Sequence, residues 1–92
     1  MTDGKLFSRQ ATIVNELGLH ARSAAKIAEI ARDSESHVWI IRGTDKVDAS
    51  SIMDILTLAC EKGTRITLAI DNAADMNILE AITALVDNGF GE

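Results

Sequence analysis

The residues best suited to chemistry crowd into one stretch, Asn15-Glu16-Leu17-Gly18-Leu19-His20-Ala21-Arg22-Ser23-Ala24-Ala25-Lys26. Gly18 permits a sharp turn into the alanine-rich segment that follows. His20 then falls at or beside the N-cap of a helix. There its ring lies near free backbone N–H groups and the positive end of the helix dipole. Arg22, two residues on, lies in the first turn and offers a fork of N–H donors. A helix N-terminus joined to an Arg makes an anion site. Centred on a histidine nucleophile, such a site suits a phosphoryl group carried on the imidazole. Positive surroundings disfavour a protonated ring and leave a ring nitrogen free to attack. Spacing alone leaves a plainer reading open, in which His20 caps or packs and Arg22 is a solvated charge.

Elements that position these residues can be read from periodicity. Arg9–Val14 alternates, with Ala11 and Ile13 on one face, and reads as a strand. Asn15–Gly18 is a loop. His20–Arg32 is a helix whose Ala24, Ile27, Ala28 and Ala31 share a face at spacings of three and four. His37–Arg42 is a β-branched strand, and Gly43-Thr44 turns it back into Lys46–Ala49. Ser50 and Ser51 are N-cap candidates for a helix to Cys60, with Ile52, Ile55, Leu56 and Ala59 inward. After Gly63, Arg65–Ile70 alternates as a half-buried strand. Ala74–Asn88 is a helix with Ile78, Leu79, Ile82, Leu85 and Val86 inward, stopped by Asn88-Gly89. The order is βαββαβα. That predicts an α+β open-faced sandwich, one four-stranded antiparallel sheet covered on one side by three helices.

Composition narrows the function classes. The chain has 92 residues, net charge −5, two His, one Cys and no Pro. One domain spanning 1–92 is expected, with roughly two-thirds of its surface buried at this mass. Cys60 alone cannot form a disulfide within the chain. Three His and Cys in total, none at ligand spacing, give no metal site. No apolar run approaches about 18 residues, so no membrane span is expected. The start, Met-Thr-Asp-Gly-Lys, lacks a signal peptide's apolar core, and the expected location is cytoplasmic. Residues 1–32 carry five basic against three acidic groups, while the remainder carries four against eleven. An acidic chain with no basic stripe disfavours nucleic acid. The N-terminal basic excess suits a small anion or an acidic partner surface.

Gly18-Leu19-His20-Ala21-Arg22, followed by Ala24-Ala25, resembles the active-site signature of HPr, the histidine-containing phosphocarrier family of the bacterial phosphotransferase system. Ser51-Ile52-Met53 at a helix start resembles that family's regulatory serine motif, and the step from His20 to Ser51 fits without a gap. Gly63-Thr64 also fits, and the resemblance covers roughly residues 7–88. It implies a carrier rather than a free-standing enzyme. Nδ1 of His20 would accept a phosphoryl group from phosphorylated enzyme I, itself charged by phosphoenolpyruvate. Arg22 and the backbone N–H groups of Ala21 and Arg22 would hold the phosphate oxygens. A histidine of an enzyme IIA domain would then receive the group. Leu19, Ile52 and Met53 resemble the family's docking surface, although core packing is the simpler reading for Leu19 and Ile52.

Ser51 has two readings: a plain helix cap, or a switch phosphorylated by an HPr kinase/phosphorylase, which would repel acidic partner surfaces. Ser50 stands where the family commonly has Lys. The resemblance calls for no cofactor and implies a monomer. A regulatory or ligand-binding module acting through protein contacts is the alternative, but such a module has no need of the His20–Arg22 pair. The clearest departure is Ser23, which occupies the position of the family's proline. It restores an N–H near the phosphate and is expected to loosen the turn that aims His20.

Overall fold

The computed structural model describes residues 7–92. The expectation about a signal peptide concerns residues outside that range. In chain order the elements are β1 (Phe7–Thr12), α1 (Ala21–Ala31), β2 (Val38–Arg42), β3 (Asp45–Asp48), α2 (Ile52–Thr57), β4 (Arg65–Ile70) and α3 (Met76–Asp87). Short 3-10 turns at Ala73–Asp75 and Gly89–Gly91 flank α3. The expected order βαββαβα is the one found. Neighbouring strands pair antiparallel in the order β1-β4-β2-β3.

Alternation decides which side of the sheet is covered. Ala11, Val38, Ile40, Ile66, Leu68 and Ile70 are buried beneath the helices. Ala24, Ile27, Ala28 and Ala31 of α1 meet them, as their spacing predicts, and Ile78, Leu79, Ile82 and Val86 do so from α3. Each large aliphatic side chain so buried contributes roughly 1.5–3 kcal/mol. The opposite side of the sheet carries Trp39, half-buried, stacked on His37 at 5.0 Å between ring centres. Its indole N–H donates to Asp71 Oδ1 at 3.0 Å.

Most element ends shift by one to three residues from those the sequence predicts, and three differences have clear physical causes. β1 begins at Phe7, because Phe7 and Ser8 find partners in Ile70 and Ala69. Past its end, Ile13 still exchanges backbone hydrogen bonds with Gly63 and Thr64, at 2.7 and 2.9 Å. α2 stops at Thr57 rather than Cys60. Ala59 takes φ +52°, the left-handed conformation that ends a helix, and is exposed. Leu58, not Ala59, completes the inward face. Beyond Asn88-Gly89 the chain turns back, and Phe90 is buried in the core.

A buried carboxylate ties the far end of the molecule. Asp75 accepts the backbone N–H groups of Glu35 and Ser36 at 2.7 and 2.9 Å. It thereby clamps the α1–β2 loop to the start of α3.

Candidate functional site

The turn into α1 is set by backbone constraints. Gly18 has φ +66°, and a Cβ there would lie 2.4 Å from the Cys60 carbonyl oxygen. Only glycine meets both demands. The same carbonyl accepts the Leu19 N–H at 2.8 Å, which fixes where α1 begins.

His20 is the N-cap of α1, with extended backbone and a side chain 26 % exposed. The first bond of the helix runs from the Ala24 N–H to the His20 carbonyl at 2.8 Å. The N–H groups of Ala21, Arg22 and Ser23 precede it and have no hydrogen-bond acceptor among the described residues. Arg22, one residue into the helix after Ala21, is exposed. The sequence-predicted pair is therefore together at one helix start, on the side of solvent.

Ser23 behaves differently from the expectation. It is fully buried, and its Oγ accepts the His20 N–H at 2.9 Å. The same hydroxyl donates to the carbonyls of His20 and Gly18, at 3.1 and 3.3 Å. This is one arm of a capping box; the reciprocal approach of the Ser23 N–H to the His20 side chain falls short of a hydrogen bond. Where proline would fix the turn through its ring, Ser23 fixes it through its hydroxyl. The turn is stapled, not loosened.

The surroundings of His20 are not purely positive. Glu92 Oε2 lies 2.7 Å from His20 Nε2 and 3.9 Å from an Arg22 guanidinium nitrogen. The hydrogen bond with His20, then that from Asn15, holds the Glu92 carboxyl below the usual carboxylate range. Asn15 Nδ2 donates to Glu92 Oε1 at 3.1 Å and to the Gly18 carbonyl at 2.8 Å. Lys26 Nζ donates to the Phe90 carbonyl at 2.9 Å and anchors the segment that carries Glu92. Neither Glu92 nor the role of Asn15 is visible in the sequence. Glu92 is 72 positions from His20 and has no motif around it.

Ser51 is the N-cap of α2, its Oγ accepting the Asp54 N–H at 3.2 Å. Ser50 turns instead to Asp48 Oδ1, at 2.7 Å. Met53 is 73 % exposed and Ile52 half-buried. Leu19 is corrected: it is buried in the core, 8 % exposed, drawn under the chain at Cys60 by its backbone hydrogen bond. At that exposure it offers a partner little surface. Ile52 instead lines a groove between α1 and α2 with Arg22, Ala25, Lys26, Glu29 and Arg32.

No helix among the described residues is long and apolar enough to cross a membrane. The family described as "PTS HPr component phosphorylation site" matches residues 7–88. The chain is 40 % identical to the phosphocarrier protein HPr of Cupriavidus necator over 87 residues, 95 % of this chain and 98 % of that protein. It is 42 % identical to the phosphocarrier protein NPr of Shewanella violacea over 84 residues, 91 % of this chain and 92 % of that protein. Among solved structures, HPr-C-His from Thermoanaerobacter tengcongensis superposes with TM-score 0.84 at 33 % identity, covering 94 % of this chain and 97 % of that one. The HPr of Bacillus anthracis gives 0.81 at 30 % identity, covering 88 % and 96 %. With the family match running from β1 through α3 and across the His20 turn, the chain belongs to the HPr family of the phosphotransferase system.

Proposed function

We propose that His20 carries a phosphoryl group from phosphorylated enzyme I to an enzyme IIA domain. The observation that carries this reading is the position of His20 as the N-cap of an 11-residue helix, with Arg22 exposed beside it. The nucleophile and the anion-binding groups share one turn. A ring nitrogen attacks phosphorus and forms the new N–P bond. The N–P bond to the donor histidine breaks, and its electrons return to that nitrogen. The N–H groups of Ala21 and Arg22, with the Arg22 guanidinium, offset the charge on the three phosphoryl oxygens. Catalysis is then positioning and electrostatics, as is general for phosphoryl transfer. The return step to enzyme IIA is the same reaction with the carrier as donor.

The groove between α1 and α2 supports docking of acidic partner surfaces. Arg22, Lys26 and Arg32 outnumber its one acid, Glu29, and Ile52 supplies an apolar edge. Met53, on the same helix as Ile52, is the most exposed large apolar side chain among the described residues. Ser51 is the proposed regulatory phosphoacceptor, in line with the serine motif. A phosphate there would displace the cap contact to Asp54 and place negative charge on the helix that also carries Ile52 and Met53.

Incubation with phosphoenolpyruvate and enzyme I tests the carrier role. An acid-labile, base-stable label should appear in the wild type and be lost in His20→Ala. Undiminished label in His20→Ala would refute it.

A further inference from the structure

We propose that Glu92 is a positioning residue that holds the proton on Nε2 of His20, blocks that nitrogen, and so directs the phosphoryl group to Nδ1. This inference deepens the phosphohistidine reading of the same site and rests on it.

A carboxylate can only accept a hydrogen bond. With Glu92 Oε2 at 2.7 Å, Nε2 must therefore be the donor. In a neutral imidazole the other nitrogen is then the one with the free lone pair. Nδ1, bonded to Cγ, is the ring nitrogen nearer the backbone of the helix start, the side from which the Ser23 N–H approaches the His20 side chain. The nucleophilic lone pair thus belongs to the ring nitrogen beside the anion-binding N–H groups.

The carboxylate is held from several directions. Asn15, 5 % exposed, bridges Glu92 Oε1 and the Gly18 carbonyl through its amide nitrogen. The Glu92 N–H donates to the Gly89 carbonyl at 3.1 Å. The intervening Phe90 is buried, and its carbonyl is bonded to Lys26. Arg22 makes only a loose contact at 3.9 Å and stays exposed, so its guanidinium remains available to phosphate.

The chemistry balances without moving the Nε2 proton. The Nδ1 lone pair forms the N–P bond, and the donor's bond to phosphorus breaks with its electrons leaving on the donor. Nε2 keeps its proton, so the ring becomes cationic. Glu92 then faces an imidazolium and stabilises the charge as it develops, as the buried carboxylate of a catalytic triad does. A fixed His tautomer set by a carboxylate is a recurring device at reactive histidines.

Potassium phosphoramidate phosphorylates histidine without enzyme I, and ammonia is its leaving group. Protein labelled with ¹⁵N in its histidine rings would be treated with it, and the isomer read by ¹H–¹⁵N correlation. The wild type should carry phosphate mainly on Nδ1 of His20. Glu92→Ala should raise the share on Nε2 severalfold, and Glu92→Gln, which keeps the length but not the charge, should shift it in the same direction. An isomer ratio in both variants equal to the wild type's would overturn the proposal, as would a wild type labelled mainly on Nε2. Loss of enzyme I labelling with the phosphoramidate pattern intact would count against the carrier reading instead.

Discussion

At His20 one ring meets groups of both signs: a helix start and Arg22 on one hand, Glu92 on the other. Arg22→Ala should slow transfer from enzyme I on the order of 100-fold, the usual effect of losing one donor to a developing charge. The circular dichroism spectrum should be unchanged, because Arg22 packs against nothing in the core. Glu92 adds a pH dependence. Its folded pKa lies below the unfolded value, so whatever stability its contact contributes is fully present above the ordinary carboxylate range. That contribution is lost as pH falls through the lowered value. The Nε2 resonance of His20 should therefore keep its Glu92 contact as pH falls through the ordinary glutamate value of 4.5 and lose it only below that. Loss at higher pH would contradict the lowered value. His20, Arg22 and Ser51 were legible in the sequence because local spacing places them at helix starts. Glu92 was not, because its contact depends on how the chain after α3 returns to the sheet. Ser23 was half legible: its position is local, but the reach of its hydroxyl to Gly18 and His20 is a matter of three dimensions. Ser23→Ala should cost about 1 kcal/mol, as the loss of a capping hydroxyl does, read as a lower urea midpoint at constant slope.

Among the elements, α1 and β4 follow directly from their periods, while α2 does not. Six residues of α2 end where Ala59 enters the left-handed region, a conformation that no feature of an alanine announces. It is imposed from outside: the Cys60 carbonyl must face the Leu19 N–H across the close approach at Gly18. The terminus of α2 and the start of α1 are thus set by one contact. Ala59→Gly removes the cost of that conformation, loses no buried side chain, and should raise stability by about 1 kcal/mol, measured by chemical denaturation. A destabilised variant would show that the alanine methyl matters to the loop. Gly18→Ala goes the other way. It adds a left-handed alanine and a clash with backbone, and should cost about 2 kcal/mol or more.

On the scale of the molecule, an antiparallel sheet gives every covering helix one shared core, and the site sits where α1 begins and the last turn returns. The class of fold was legible because two strands alternate, a β-branched strand turns back at Gly43-Thr44, and three segments repeat at helical spacing. The burial of Phe90 was not, since a glycine on either side reads as a frayed end. Asp75 holds the opposite end, and Asp75→Ala should lower stability by about 2 kcal/mol by orphaning two backbone N–H groups, with little effect on transfer rate. The central claim is that His20 both receives and gives. The most direct measurement is to charge the protein with enzyme I and phosphoenolpyruvate, remove the donor, map the phosphate by mass spectrometry at alkaline pH, and add an enzyme IIA domain. The phosphate should lie on His20 alone and pass to the IIA histidine. Phosphate mapped to another residue, or a phospho-His20 that enzyme IIA cannot discharge, would contradict it.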